Sequence, residues 1–176
     1  MGQNYPALVG NNNLEAPFNI VVIQSNGGMI GVKPVARIRD GLSNTILVSE
    51  CVIGSPTYYA AGNTSSYTQC TQGLLCSAAS GVASNRGASW FHGVYNSSWS
   101  FNTTTGPNDA ILSRQGTDCM GWSYVGVLPA RSRHTGGVNA TTGDGAVHFV
   151  SDSVDINVWQ AYGTIDRGES GASITQ

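Results

Sequence analysis

RSRHTGGVNATTGDGAVHF, the stretch from Arg131 to Phe149, is the segment whose spacing decides the fold. It reads as a β-hairpin. Val138, Ala140 and Thr142 point one way, Asp144-Gly145 supplies a turn that tolerates positive φ, and Val147 and Phe149 resume the alternation on the return strand. His134 stands just ahead of the hairpin; nine residues separate it from Asp144, and Gly145 follows at once. A strand of nine or ten residues spans roughly 30 Å, so His134 and Asp144 sit at opposite ends of the first strand and serve separate tasks. Asp144 is a turn former. His134 is placed to bond a carbonyl of the Gly136-Gly137 bend or an acid from elsewhere in the chain.

Working outward, Val154-Asp155-Ile156 opens a helix of about eight residues with Asp155 as N-cap, Val154 and Trp159 as a hydrophobic staple and Gly163 just past the end. Ile156 and Trp159 would share its buried face. Upstream, Thr45-Ile46-Leu47-Val48 is a strand whose continuous apolarity predicts burial on both faces, and Glu50 marks its end. Ile20 to Ile23 form a β-branched strand with Met29 to Val32 as its returning partner, and Pro34 confines that partner to an edge. Residues 1–19 and 166–176 read as irregular, and 54–87, small and polar, as a long loop region clipped by cysteines. The expected fold is a single α+β domain over 1–176, mainly β, with an antiparallel sheet and one short C-terminal helix.

Charged residues make up only 10% of the 176, with eight Lys and Arg against ten Asp and Glu, and the net charge is −2. Without a basic run there is no electrostatic footprint for nucleic acid. No stretch approaches the roughly 18 apolar residues of a membrane span, so no membrane contact is expected of this segment. A surface of Ser, Thr, Asn and Gly points to an extracellular or cell-surface setting. Four cysteines, Cys51, Cys70, Cys76 and Cys119, allow three full pairings. Cys70 with Cys76 across a short Gly-containing loop is the first pair, which leaves Cys51 with Cys119. No Cys-x2-Cys spacing occurs, so disulfides are favoured over a metal site.

Residues 88–101 concentrate aromatic rings, with Trp90, Tyr95 and Trp99 joined by Trp122 after the next loop. These rings either fill a core poor in long aliphatics, the favoured reading, or form a platform on which a polysaccharide stacks. A secreted hydrolase would need His134 beside a nucleophile such as Ser132, yet no Gly-x-Ser-x-Gly elbow is present. Calcium is the one candidate ion, with Asp144, Asp152 and Asp155 as oxygen donors, although no Asp-x-Asp-x-Asp-Gly loop appears. No other metal or cofactor is expected.

The His-x9-Asp-Gly pattern of His134, Asp144 and Gly145 resembles the signature for which the C-terminal domain of a prepilin-like family, abundant in planctomycete-type bacteria, is named. Residues 39–50, RDGLSNTILVSE, are similar to that family's Asp-Gly-Thr-Ser-Asn-Thr stretch with its apolar strand and terminal Glu. Arg86-Gly87 through Trp90 and Gly93, then Phe101-Asn102-Thr103 with Pro107-Asn108, resemble its middle; Ser151-Asp152-Ser153, Trp159 and Gly163-Thr164 resemble its tail. Thr135 stands where Pro is common, and Gly106 replaces the first Pro of a Pro-Pro-Asn. The resemblance implies a pilin-like globular head: a structural, non-enzymatic subunit of a surface or secretion filament, partnered by its own copies or other pilin-like subunits. Such proteins begin with a basic leader and an apolar helix of about 20 residues. This chain opens Met1-Gly2-Gln3-Asn4-Tyr5, which looks like the family's middle, so an upstream portion is expected to precede it.

Overall fold

The computed structural model describes residues 34–53, 101–109, 128–166, 168, 173 and 174, together with short strands outside those ranges. Val22–Ile23 (β1) and Met29–Ile30 (β2) pair antiparallel with Val22 opposite Ile30, inside the two segments expected to pair. Ile46–Ser49 (β3) follows a 3-10 turn at Leu42–Asn44. Thr57–Ala60 (β4) and Ala79–Ala83 (β5) are antiparallel neighbours, Asp118–Met120 (β6) runs parallel to β4, and Gly126–Val127 (β7) closes this four-stranded sheet. Two strands therefore lie inside the 54–87 region expected to be loop. They pair with each other, and β4 gains a second neighbour, β6, from residues 118–120; ladder formation follows partners more than the small, polar composition of a segment.

Gly137–Thr142 (β8) and Val147–Ser151 (β9) form the hairpin, and β3 adds to β8 to give the antiparallel order β3-β8-β9. With the short helix Ile156–Ala161 (α1), this makes an α+β, mainly β structure. Val138, Ala140 and Thr142 are buried as expected. Val147 and Phe149, however, are 67% and 48% exposed, and the inward positions of β9 belong to Val150 and His148, opposite Val138 and Ala140. The cause is the loop. A two-residue Asp144-Gly145 turn would put Val147 across from Thr142, but Thr142 pairs with Ala146 around three residues, Gly143, Asp144 and Gly145. Gly145, at φ 88°, supplies the left-handed last position that such a loop requires. One residue of register sends every side chain of β9 to the other face.

Gly137 opens the central strand because nothing larger fits. A Cβ there would run into the Val150 carbonyl oxygen and lie 2.8 Å from Cζ of Phe149, whose ring covers this position. Gly137→Ala should cost about 2 kcal/mol by overpacking, read as a lower urea midpoint with an unchanged slope.

Ile46, Phe101, Ala130, Val138, Ala140, Val150, Trp159 and Ile174 form the core, with Val154, Val158 and Tyr162 packed against it. Phe101, the last ring of the aromatic segment, is thus a core residue; Trp90, Tyr95, Trp99 and Trp122 lie outside the described residues. In β3 only Ile46 is fully buried, and Leu47 and Val48 are half-buried, because β3 is the sheet's edge and not an interior strand. Asp155 caps α1 as expected: its carboxylate accepts from the backbone N–H groups of Asn157 and Val158, and these bonds hold its pKa below the usual value. The helix has six residues, and Ile156 is 40% exposed because Val154 packs against the Trp159 cluster in its place.

Two isoleucines near the C-terminal end join the interior. Ile165 and Ile174 are buried, the Ile165 carbonyl accepts from the N–H groups of Arg39 and Asp40, and Ile46 N–H bonds the Tyr162 carbonyl. The described residues beyond Asp166 form no helix or strand, yet the apolar side chain of Ile174 finds space in the core.

Candidate functional site

The loop ahead of β8 is pinned on every side. Arg131 N–H donates to the Glu50 carbonyl at 2.9 Å, and its buried side chain reaches the Asp109 carbonyl at 3.2 Å. Asn108 adopts φ 54°, a left-handed conformation that asparagine tolerates better than most residues. Its Oδ1 accepts from Ser132 N–H at 2.9 Å while its Nδ2 donates to Asp152 Oδ1 at 2.8 Å. Ser132 Oγ donates to the Gly137 carbonyl and accepts from His134 N–H. The Ser132 hydroxyl is therefore bonded to backbone and not to the imidazole, contrary to what a Ser/His pair would require.

His134 bonds an acid from elsewhere, Glu50, with Nε2 and Oε1 3.1 Å apart. Glu50 stands directly after β3 and also accepts from both nitrogens of Asn139 on β8: Oε2 from the backbone N–H at 2.8 Å and Oε1 from Nδ2 at 3.1 Å. One carboxylate thus clips the edge strand, the central strand and the loop before it. Burial alone would raise the Glu50 pKa, but the hydrogen bonds from Asn139 and His134 outweigh it and hold the carboxyl below its usual range. An ionised carboxylate has no proton to offer, so His134 Nε2 is the donor in this contact.

Asp144 lies at the far end of β8, apart from His134. Its Oδ1 accepts from Thr142 Oγ1 at 2.6 Å and from Ala146 N–H at 3.1 Å, and these bonds lower its pKa. It is the turn former that the Asp-Gly pair suggests. A group with a depressed folded pKa stabilises above its unfolded pKa and loses that contribution as pH falls through the folded value. Asp144→Ala should therefore lower the melting temperature near pH 7, and by progressively less as pH falls below 3.8, while the Glu50–His134 contact persists near pH 7, as checked by thermal melts and histidine NMR.

The candidate calcium donors have separate occupations: Asp144 closes the turn, Asp152 accepts from Asn108 and Asp155 caps α1. Among the described residues, no three His, Cys, Asp or Glu side chains converge where they could hold a metal ion. Cys51 is half-buried and follows Glu50; Cys70, Cys76 and the side chain of Cys119 lie outside the described residues. Between the Glu50–Ile53 segment and the Arg131–His134 loop runs an open cleft of about 580 Å³.

Three residues that build this site carry little signal in the sequence. Glu50 reads as a strand end, Asn139 as the start of an Asn-x-Thr triplet and Asn108 as part of a Pro107-Asn108 pair that resembles the family's middle. Beyond the resemblance of residues 39–50 to a stretch that ends in Glu, the usable hint is scarcity: Glu50 is one of only three glutamates in the chain and stands at the end of an apolar strand. A family model described as a protein of unknown function (DUF1559) matches residues 3–157. No curated protein and no solved structure matches the chain. The match takes in β3, the hairpin and the loop that carries His134, and it spans most of the sequence: the chain belongs to the DUF1559 family.

Proposed function

We propose that this chain is the globular head of a pilin-like subunit in a cell-surface or secretion filament, a structural and interaction protein that assembles with its own copies or with other pilin-like subunits. The observation that carries the reading is the use of the signature residues. His134 and Asp144 both serve to hold the hairpin, one through Glu50 and the other through Thr142 and Ala146. Side chains committed to a clip and a turn suit a scaffold whose surface does the work. The resemblance of 39–50, 101–108 and the hairpin to prepilin-like sequences supplies the filament, and the polar, weakly charged composition suits the cell exterior.

The test is immunogold labelling of the source cells with antibody against this chain, followed by N-terminal sequencing of the native protein from sheared surface material. Label along filaments, together with an apolar, N-methylated helix ahead of the head, supports the proposal. Native protein recovered without such a helix, or label confined to non-filamentous material, overturns it.

A further inference from the structure

In a chain with eight Lys and Arg among 176 residues, Arg131 and Arg133 stand two positions apart and line the same cleft, with His134 beside them. The charges that line the cleft are not equally committed. The Arg131 side chain is buried and bonds the Asp109 carbonyl, and Glu50 is held by Asn139 and His134. Arg133 is exposed, and its guanidinium has no hydrogen bond or ion pair among the described residues. Beyond Glu50 and Cys51 the opposite wall is apolar: Val52 is half-buried and Ile53 is 73% exposed, the largest exposure among the large hydrophobic residues described.

We infer that the cleft between residues 50–53 and 131–134 binds an extended peptide segment that carries an acidic side chain beside an apolar one. The Arg133 guanidinium offers a planar fork of donors that matches a carboxylate. Ile53 and Val52 give an apolar neighbour a surface to cover. The His134 ring, with its side chain 55% exposed and its Nε2 turned to Glu50, leaves Nδ1 for a peptide backbone, accepting from an N–H when the ring is neutral and donating to a carbonyl when it is charged; a simple anion offers no such pair of groups. The ring is fixed by Glu50 before any ligand arrives, so little ordering remains for binding to impose. This inference stands on the cleft and does not require that the protein form filaments.

The experiment is a calorimetric titration of the full chain with the peptide acetyl-Leu-Glu-Leu-Thr-amide and with its Glu-to-Gln counterpart. The expected result is saturable binding of the acidic peptide, at least tenfold weaker for the Gln peptide, and weaker at high salt. Arg133→Gln should lose at least tenfold for the acidic peptide only, Arg133→Lys should lose less, and Ile53→Ser should weaken both peptides. Arg37→Gln, which removes an exposed arginine that does not line the cleft, should change nothing. Arg133 makes no described contact, so its variants should melt with the parent, and a melt on each sample checks this. Absence of saturable binding overturns the inference, as does equal affinity for the two peptides or undiminished binding by a folded Arg133→Gln.

Discussion

Trp159→Ala should lose about 3–5 kcal/mol of stability, the largest effect expected of any single substitution among the described residues. Trp159 is fully buried at the centre of the cluster that joins α1 to the β3-β8-β9 sheet, in company with Ile46, Phe101, Val138 and Val150. Truncation removes the whole indole and leaves a cavity that a six-residue helix can only partly collapse into. It also removes the Nε1 donor of a 2.9 Å bond to the Thr105 carbonyl, which ties the 101–109 segment to the helix. A loss of that size is a large share of the roughly 5–15 kcal/mol that holds an ordinary domain folded. The expected observation is a chemical-denaturation midpoint lowered by about a fifth at the least, and by more the nearer the parent lies to the low end of that range. Trp159→Phe separates the two contributions: it keeps most of the apolar volume and leaves the carbonyl without its donor, at a cost nearer 1–2 kcal/mol. Near-native stability for Trp159→Ala would mean that the helix does not pack as described.

Glu50→Ala should cost about 3 kcal/mol, because one carboxylate accepts both nitrogens of Asn139 and the ring of His134. The penalty comes chiefly from what is left behind. Asn139 is half-buried on the central strand, and its N–H and amide would keep their desolvation without an acceptor. The pH dependence has a definite sign. The folded pKa of Glu50 lies below its ordinary value of 4.5, so the clip is fully formed above that pH and is lost as pH falls through the folded value. Stability of the parent protein should decline below pH 4.5, in the same direction as the contributions of Asp144 and Asp155. Glu50→Gln, which retains an acceptor but does not ionise, should flatten part of that slope. A slope identical to the parent's would show that Glu50 is not held as described.

The sequence by itself determined the local elements. Alternation placed Val138, Ala140 and Thr142 on the buried face, the Asp-Gly pair marked the turn, and the run Val154-Asp155-Ile156 marked the start of α1 with Asp155 as its cap. Each of these rests on interactions within a few residues, where propensity, capping and side-chain period act without help from the rest of the chain. Only the tertiary structure decided which face of β9 looks inward, because a three-residue loop instead of a two-residue one shifts the register by one and nothing in the strand resists the shift. It also decided that β3 is an edge, that Thr57–Ala60 and Ala79–Ala83 find partners, and that Ile174 returns to the core. The pairing of Glu50 with His134 spans 84 residues of sequence and depends on β3 lying beside β8. No periodicity or local motif encodes a contact of that kind, since it exists only once the sheet has brought two distant segments within hydrogen-bonding distance.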